Sequence, residues 1–387
     1  MSGSSFQPYS WTYAITRTRV WRKGAQTVFT RVSLVLLILA AILAWTGCFG
    51  STDVHQTAFV TAPLNAGIAV YKISNLTGKF SQVLGSPYPT GISPTQAVVH
   101  PSGKYLYLAN GGENDISLFK IASSGAVTEV MPRTPAGTKP SALAISSSGS
   151  LLFVANADSN TINSYSIDAG SGALKAGSSA QTGFTPLKLA LSPSGQFLYA
   201  SNNSSNTISG FAVDSSGNMM PVPGSPYAVG AGPNGITIDP SGKFLYVASL
   251  IGGNFSGFSI DSGSGALAPL TGSPYAVAVS TTVISLSAVA TDLKGNFLYV
   301  SALNANKLYA YTINSSNGVP AAIANSPFAT GGGPAFISTD ADGQFLFVGN
   351  QSTSNVTVFR ITSSSGTLTT IATETVLSAP TSMAVIK

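Results

Sequence analysis

The chain has 387 residues, 44% of them hydrophobic and only 8% charged, which is too long for one small domain and too apolar for a disordered polymer. Its 40 Gly and 22 Pro interrupt the sequence too often for long helices, so many short strands joined by tight turns are expected. The net charge of +5 belongs to Arg17, Arg19, Arg22, Lys23 and Arg31, and beyond Arg31 bases and acids are equal in number. No basic stripe remains to neutralise phosphates, which excludes nucleic acid as a partner of the folded part.

The basic arm, residues 1–31, runs into the uncharged stretch VSLVLLILAAILAWTGCFG at 32–50. Positive charge followed by an apolar run is the order of an export signal, and the run lies at the border between a cleavable segment and a spanning helix. Thr46-Gly47-Cys48 resembles the lipobox of bacterial lipoproteins, with Trp45 departing from it. The expectation is an exported chain, held at a membrane by a lipid on Cys48 or by an uncleaved helix, with residues 51–57 as a tether. Cys48 is the only cysteine, so neither a disulfide framework nor a thiolate nucleophile is available.

Residues 58–387 repeat. PSGKYLYLAN at 101–110, SSGSLLFVAN at 147–156, PSGQFLYASN at 193–202, PSGKFLYVAS at 240–249, LKGNFLYVSA at 293–302 and ADGQFLFVGN at 341–350 align on their glycines. A second series, Gly78, Gly125, Gly172, Gly217, Gly265, Gly318 and Gly366, marks seven units. Each unit reads as four short strands, which is the pattern of a propeller blade. The first unit begins at its second strand, near Ala58–Ala62, and TSMAVIK after Pro380 supplies an unmatched first strand. The fold expected is all-β: a seven-bladed β-propeller closed by a C-terminal strand that completes the first blade.

The repeat also accounts for residues that invite a functional reading. His100, Ser146, Ser192, Asp239, Asp292 and Asp340 are equivalent and each opens a tight turn, so His100 reads as a turn residue. Asp340-Ala341-Asp342-Gly343 looks like the head of a calcium loop but lacks the later acidic ligands. Gly331–Gly333 is followed by neither Lys-Ser/Thr nor a helix pattern and reads as an interblade loop. With two histidines and one cysteine in the sequence, His/Cys metal sets are excluded, and no cofactor is called for.

The tetrads YLAN (107–110), FVAN (153–156) and FVGN (347–350) resemble YVTN-type repeats, and unit length and turn chemistry resemble the lactonase propellers, which include 6-phosphogluconolactonase-like and muconate-cycloisomerase-like proteins. The resemblance implies seven blades strongly and chemistry weakly. Family members thought to be active use His, Arg and Glu. Here no position matching a motif lets such a residue be carried across.

Function is expected on the face formed by loops joining strands two and three and by the connections between blades. Lys188 is placed near the channel mouth, two residues after Pro186, where other units have Gln96, Ala142, Gly235, Ala288, Phe336 and Ser382. Candidate binding residues on this face are Lys188, Gln96, Asn110, Glu113, Arg133, Asn156, Asp158, Asn202 and Asn350. The asparagines also suit strand capping and left-handed turns. The Gly-Ser-Pro-Tyr strings at 85–88, 224–227 and 272–275, with Asn-Ser-Pro-Phe at 325–328, are read as a second loop set that holds aromatic rings either for stacking or between blades.

Two functions follow. The favoured one is a membrane-tethered, non-catalytic binding or scaffolding module outside the cytoplasm, whose partner is an envelope protein, a glycan or a small molecule. The alternative is a lactonase- or cycloisomerase-like enzyme using Lys188 or Arg133 with Glu113 or Asp158.

Overall fold

The computed structural model describes residues 53–277 and 283–387, so the expected arm, apolar segment and Cys48 lie outside the described residues. The described strands form seven antiparallel sheets, each with the first strand at one edge and the fourth at the other. The first strands are Pro94–Val99, Pro140–Ile145, Pro186–Leu191, Pro233–Ile238, Leu286–Thr291, Pro334–Thr339 and Met383–Ile386. Successive ones lie against each other around a central channel. We number the blades 1 to 7 by their second strands, from His55–Ala62 to Phe345–Asn350.

Blade 1 is built from both ends of this unit. Met383–Ile386 pairs antiparallel with Val60–Thr57, so the chain closes the ring as the repeat register requires. The first described strand starts at His55, inside the segment expected to be a tether, because residues 55–57 pair with Ser74–Lys72 of the next strand. Gln56 is buried there and bonds Asp340 and Asp342, which joins blade 1 to blade 7.

The second strands of blades 2 to 7 are buried at every residue. Each is covered on both faces by neighbouring blades, so its sequence is a continuous apolar run instead of an alternating one. Tyrosines within these runs need a polar partner, and they find it in the next blade. The hydroxyls of Tyr107, Tyr199 and Tyr246 donate to the carbonyls of Gly172, Gly265 and Gly318 at 2.8, 2.6 and 2.6 Å. Burial pushes all three phenols well above their ordinary pKa, so they remain donors. The accepting glycines have φ between +72° and +75° and lie against an aromatic ring, which leaves no room for a Cβ.

The turn after each first strand behaves as the repeat predicts. Asp239, Asp292 and Asp340 accept the backbone N–H five residues on at 2.7–2.8 Å, and Ser146 and Ser192 do so at 3.0 Å. Asp342 is engaged by Gln56, Asn75 and Lys387, so the Asp340–Gly343 turn is an interblade latch.

The Gly-Ser-Pro-Tyr strings differ from expectation. They interrupt the fourth strand and do not join blades: in blade 4, Met219–Pro221 and Tyr227–Ala228 pair with the same third strand on either side of the string. The serine fills the break by accepting a backbone N–H, as Ser225 does from Gly210 at 2.9 Å. The Tyr88 and Tyr275 hydroxyls turn back to the carbonyls of Leu84 and Thr271. These rings are therefore structural.

Candidate active site in the central channel

Each first strand opens on the loop face with a proline in six units' alignment, and the next residue faces its neighbour around the mouth. Thr95 donates to the Pro140 carbonyl at 2.9 Å, Ser141 to Pro186 at 2.6 Å and Ser287 to Pro334 at 2.5 Å. Asn234 supplies an amide donor to Ser287 at 3.0 Å. Blades 4 and 7 break this ring of donors because their equivalent residues are Leu187 and Ala335.

Lys188 follows Leu187 and lines both the cavity at the mouth, about 430 Å³, and a smaller one beneath it, about 170 Å³. The side chain is half-buried among the cavity walls. Among the described residues its ammonium has no hydrogen-bond or ion-pair partner, and burial lowers its pKa from 10.5 to about 8. No Asp, Glu or His among the described residues lines either cavity. The hydroxyls of Thr95, Ser141 and Ser287 have spent their protons on backbone carbonyls and Lys139 is paired with Asp158, so Lys188 is the cation left unpaired to meet a bound molecule there.

The other expected site residues are placed elsewhere or committed. Gln96 lines the lower cavity, but its amide pairs with both backbone groups of Leu143 and so ties blade 2 to blade 3. Asn110, Asn156, Asn202 and Asn350 are fully buried, which removes them from the loop surface. Their amides bond within the blade: Asn110 to Asp115 and Ser117, Asn202 to Thr207 and Ser209, and Asn350 to Asn355 and Thr357. Asn156 likewise donates to Thr161 and Asn163 at 3.2 Å, and its side-chain oxygen also accepts the Gly137 N–H at 3.0 Å.

Arg133 and Glu113 form an ion pair in blade 2, away from the channel lining, with Asp115 and Glu129 beside the same guanidinium. The hydrogen bond to Glu129 holds Arg133 above its ordinary pKa against partial burial. With three carboxylates around it the guanidinium is fully engaged within the blade, in a cluster of net negative charge. Asp158 is exposed and meets Lys139 at 3.4 Å. Hence the pairing expected between Lys188 and Glu113 or Asp158 does not occur, and of the charged candidates Lys188, Arg133, Glu113 and Asp158 only Lys188 lines the channel.

His100 is a turn residue. Its Nδ1 accepts the Ser102 N–H at 3.0 Å and its Nε2 lies 3.0 Å from the Gly149 carbonyl, which fixes the neutral tautomer with Nε2 as donor.

The sequence reading missed the apolar part of the mouth. Leu187 stands where other units carry Thr95, Ser141 and Ser287, and Leu250 and Leu303 begin loops that start elsewhere with Gly111, Ala157, Asn203 or Gln351. That signal was present in the unit alignment, but only the channel geometry brings the three leucines onto one wall.

Comparison with known proteins agrees with this architecture. The sequence matches the family described as lactonase, 7-bladed beta-propeller, over residues 47–187, 178–285 and 275–385. No curated protein matches it. Among solved structures, it is similar to a Lactobacillus plantarum protein (TM-score 0.76, 18% identity, covering 86% of this chain and 100% of that one). It is also similar to a candidate 6-phosphogluconolactonase from Bacteroides fragilis (0.75, 21%, 87% and 99%). A third is the periplasmic gluconolactonase of Pseudomonas aeruginosa (0.75, 18%, 86% and 99%). Identities this low speak for the fold alone, whereas the family match spans all seven blades: the chain belongs to the lactonase family of seven-bladed β-propellers.

Proposed function

We propose that this protein is a lactonase-like hydrolase whose chemistry takes place in the central channel at Lys188. Family membership supports lactone chemistry over the scaffolding role favoured by sequence, and the observation that carries the site is the enclosed, unpartnered Lys188 ammonium. Water adds to the ring carbonyl carbon, the ring C–O bond breaks, and the released alkoxide takes up a proton to give a hydroxy-carboxylate. The ammonium stabilises the oxyanion formed on addition, and low-dielectric walls strengthen that interaction. Channel water accepts the proton of the attacking water.

Turnover of a lactone panel, wild type against Lys188→Met and Lys188→Arg, tests this. The Met variant is expected to lose about 10²-fold in kcat, as for loss of one oxyanion donor, with partial retention in the Arg variant. The protonated form is the active one, so the wild-type rate should fall as pH rises through about 8. A rate that instead climbs through that range would make the amine a general base. Equal turnover in all three proteins would remove the chemistry from the channel.

The absence of Asp, Glu and His from the described walls of both cavities favours a second reading, a binding propeller without turnover. Inactivity across the panel, with ligand retained in the channel, would establish it.

For location, the basic arm and apolar run support export, with Cys48 as a lipid anchor. Expressed in a bacterium, the wild type should partition with membranes and carry lipid mass. Cys48→Ala should lose that mass, and identical masses apart from the substitution would refute lipidation.

A further inference from the structure

The mouth is unlike a site for a sugar phosphate. Two cations line the mouth, Lys139 and Lys188, but Lys139 is paired with Asp158 at 3.4 Å, which leaves one unpaired ammonium there among the described residues, and Leu187, Leu250 and Leu303 line the same cavity. The apolar surface continues outward onto the loop face. Leu64, Ile92, Phe184 and Ile251 are 81%, 57%, 66% and 65% exposed, and each is the chain neighbour of a cavity-lining residue: Pro63, Ser93, Thr185 and Leu250. Large exposed side chains gathered at one opening mark a binding surface more than chance exposure does. A volume of about 430 Å³ is that of a small-molecule site.

We propose that the channel takes lactones bearing an aliphatic substituent and binds their ring-opened carboxylates, with the carboxylate on the Lys188 ammonium and the aliphatic chain along Leu187, Leu250 and Leu303 toward the mouth. Charge and surface both select this class. With Lys139 already paired to Asp158, the one unpaired ammonium matches a single negative charge, while a phosphate dianion and a polyhydroxylated body would leave one charge unpaired and many hydroxyls against leucine. The lowered pKa of Lys188 accords with an ammonium that gains from an anionic partner. The substrate half of this proposal rests on the hydrolytic reading above; the binding half does not.

The full chain, titrated calorimetrically with hexanoate, decanoate and gluconate near pH 7, tests the binding half. Each buried methylene is worth about fourfold, so decanoate should bind at least tenfold tighter than hexanoate, with gluconate weakest. Lys188→Met should weaken decanoate by tenfold or more while keeping the wild-type circular dichroism, and Lys188→Arg should restore it. Leu250→Asn, in an exposed loop, should flatten the dependence on chain length. Gluconate binding as tightly as decanoate, or affinity indifferent to chain length, would overturn the proposal.

Turnover of decano-δ-lactone and glucono-δ-lactone then separates the two readings. Decanoate binding without turnover of either lactone supports the ligand class and sinks the hydrolytic reading. Turnover of the glucono-lactone alone, with no decanoate binding, overturns the ligand class and leaves hydrolysis standing.

Discussion

Deleting Pro380–Lys387 is expected to unfold the propeller cooperatively and not merely to fray blade 1. The strand Met383–Ile386 pairs with Val60–Thr57, and the preceding residue ties three elements together. Ser382 accepts the Ala97 N–H of blade 2 at 3.1 Å through its hydroxyl, while its backbone N–H and carbonyl bond Thr61 of blade 1 at 2.9 and 3.1 Å. Lys387 reaches Asp342 of blade 7 at 2.6 Å. Met383 adds a buried side chain to the core between blades 7 and 1.

The ladder hydrogen bonds at about 1 kcal/mol each and the buried Met at about 2 kcal/mol sum to roughly 5 kcal/mol or more, comparable with the whole stability of many domains. The truncated chain should therefore melt at least about 10 °C lower, or elute as aggregate through its newly opened sheet edge. Melting by circular dichroism within about 2 °C of wild type would show that closure contributes little.

Gly349→Ala is expected to be the most disruptive single methyl addition in the described blades. A Cβ there would lie 1.8 Å from the Phe336 ring, directly across the strand pair. Elsewhere this cross-strand pair is Gln96–Ala109, Lys188–Ser201 or Ala288–Ser301; in blade 7 the first-strand residue is an aromatic ring lying over the second strand, and it is matched by a residue with no Cβ. Overpacking of this kind costs about 1–3 kcal/mol. Phe336→Ala removes the obstruction, and the double variant should be more stable than the two single losses predict by about 1–2 kcal/mol. Denaturant melts of the four proteins give the coupling directly; strict additivity would mean that the ring rotates away at no cost.

The architecture was legible because every blade writes the same physical constraints into its sequence. Positive-φ turns demand glycine, the doubly covered second strand demands an apolar run, and the turn after the first strand demands a short acceptor such as Asp or Ser. Asn114, Asn160 and Asn206 show the same economy: each has φ of +55° to +61° and accepts a backbone N–H from the connection to the next blade at 2.7–2.8 Å. Their left-handed conformation is local, whereas the side-chain bond reaches 25 or 26 residues along the chain to the connection between blades, and the two together make them structural.

The site was less legible because it is assembled across blades. Asn110, Asn202 and Asn350 read equally well as surface donors or as buried caps, and only the tertiary arrangement puts them inside with their amides committed. Arg133 has one acid close by in sequence, Glu129, yet folding adds Glu113 and Asp115 from the preceding loop and strand and takes it out of contention. Lys188 was visible as an exception among equivalent positions. Its lack of a counter-charge was not, because that depends on what six other first strands present to the same channel.

By itself, then, the sequence determined the number of blades, the register of the repeat and the strand that closes the ring, since these follow from φ restrictions and burial patterns within about 50 residues of chain. Only the tertiary structure decided which polar groups are free. A hydrogen bond to a neighbouring blade uses up a donor without leaving any mark in local sequence: Thr95, Ser141, Asn234 and Ser287 are spent in this way and Lys139 is paired with Asp158, which leaves the Lys188 ammonium unpaired in a cavity that Leu187, Leu250 and Leu303 also line.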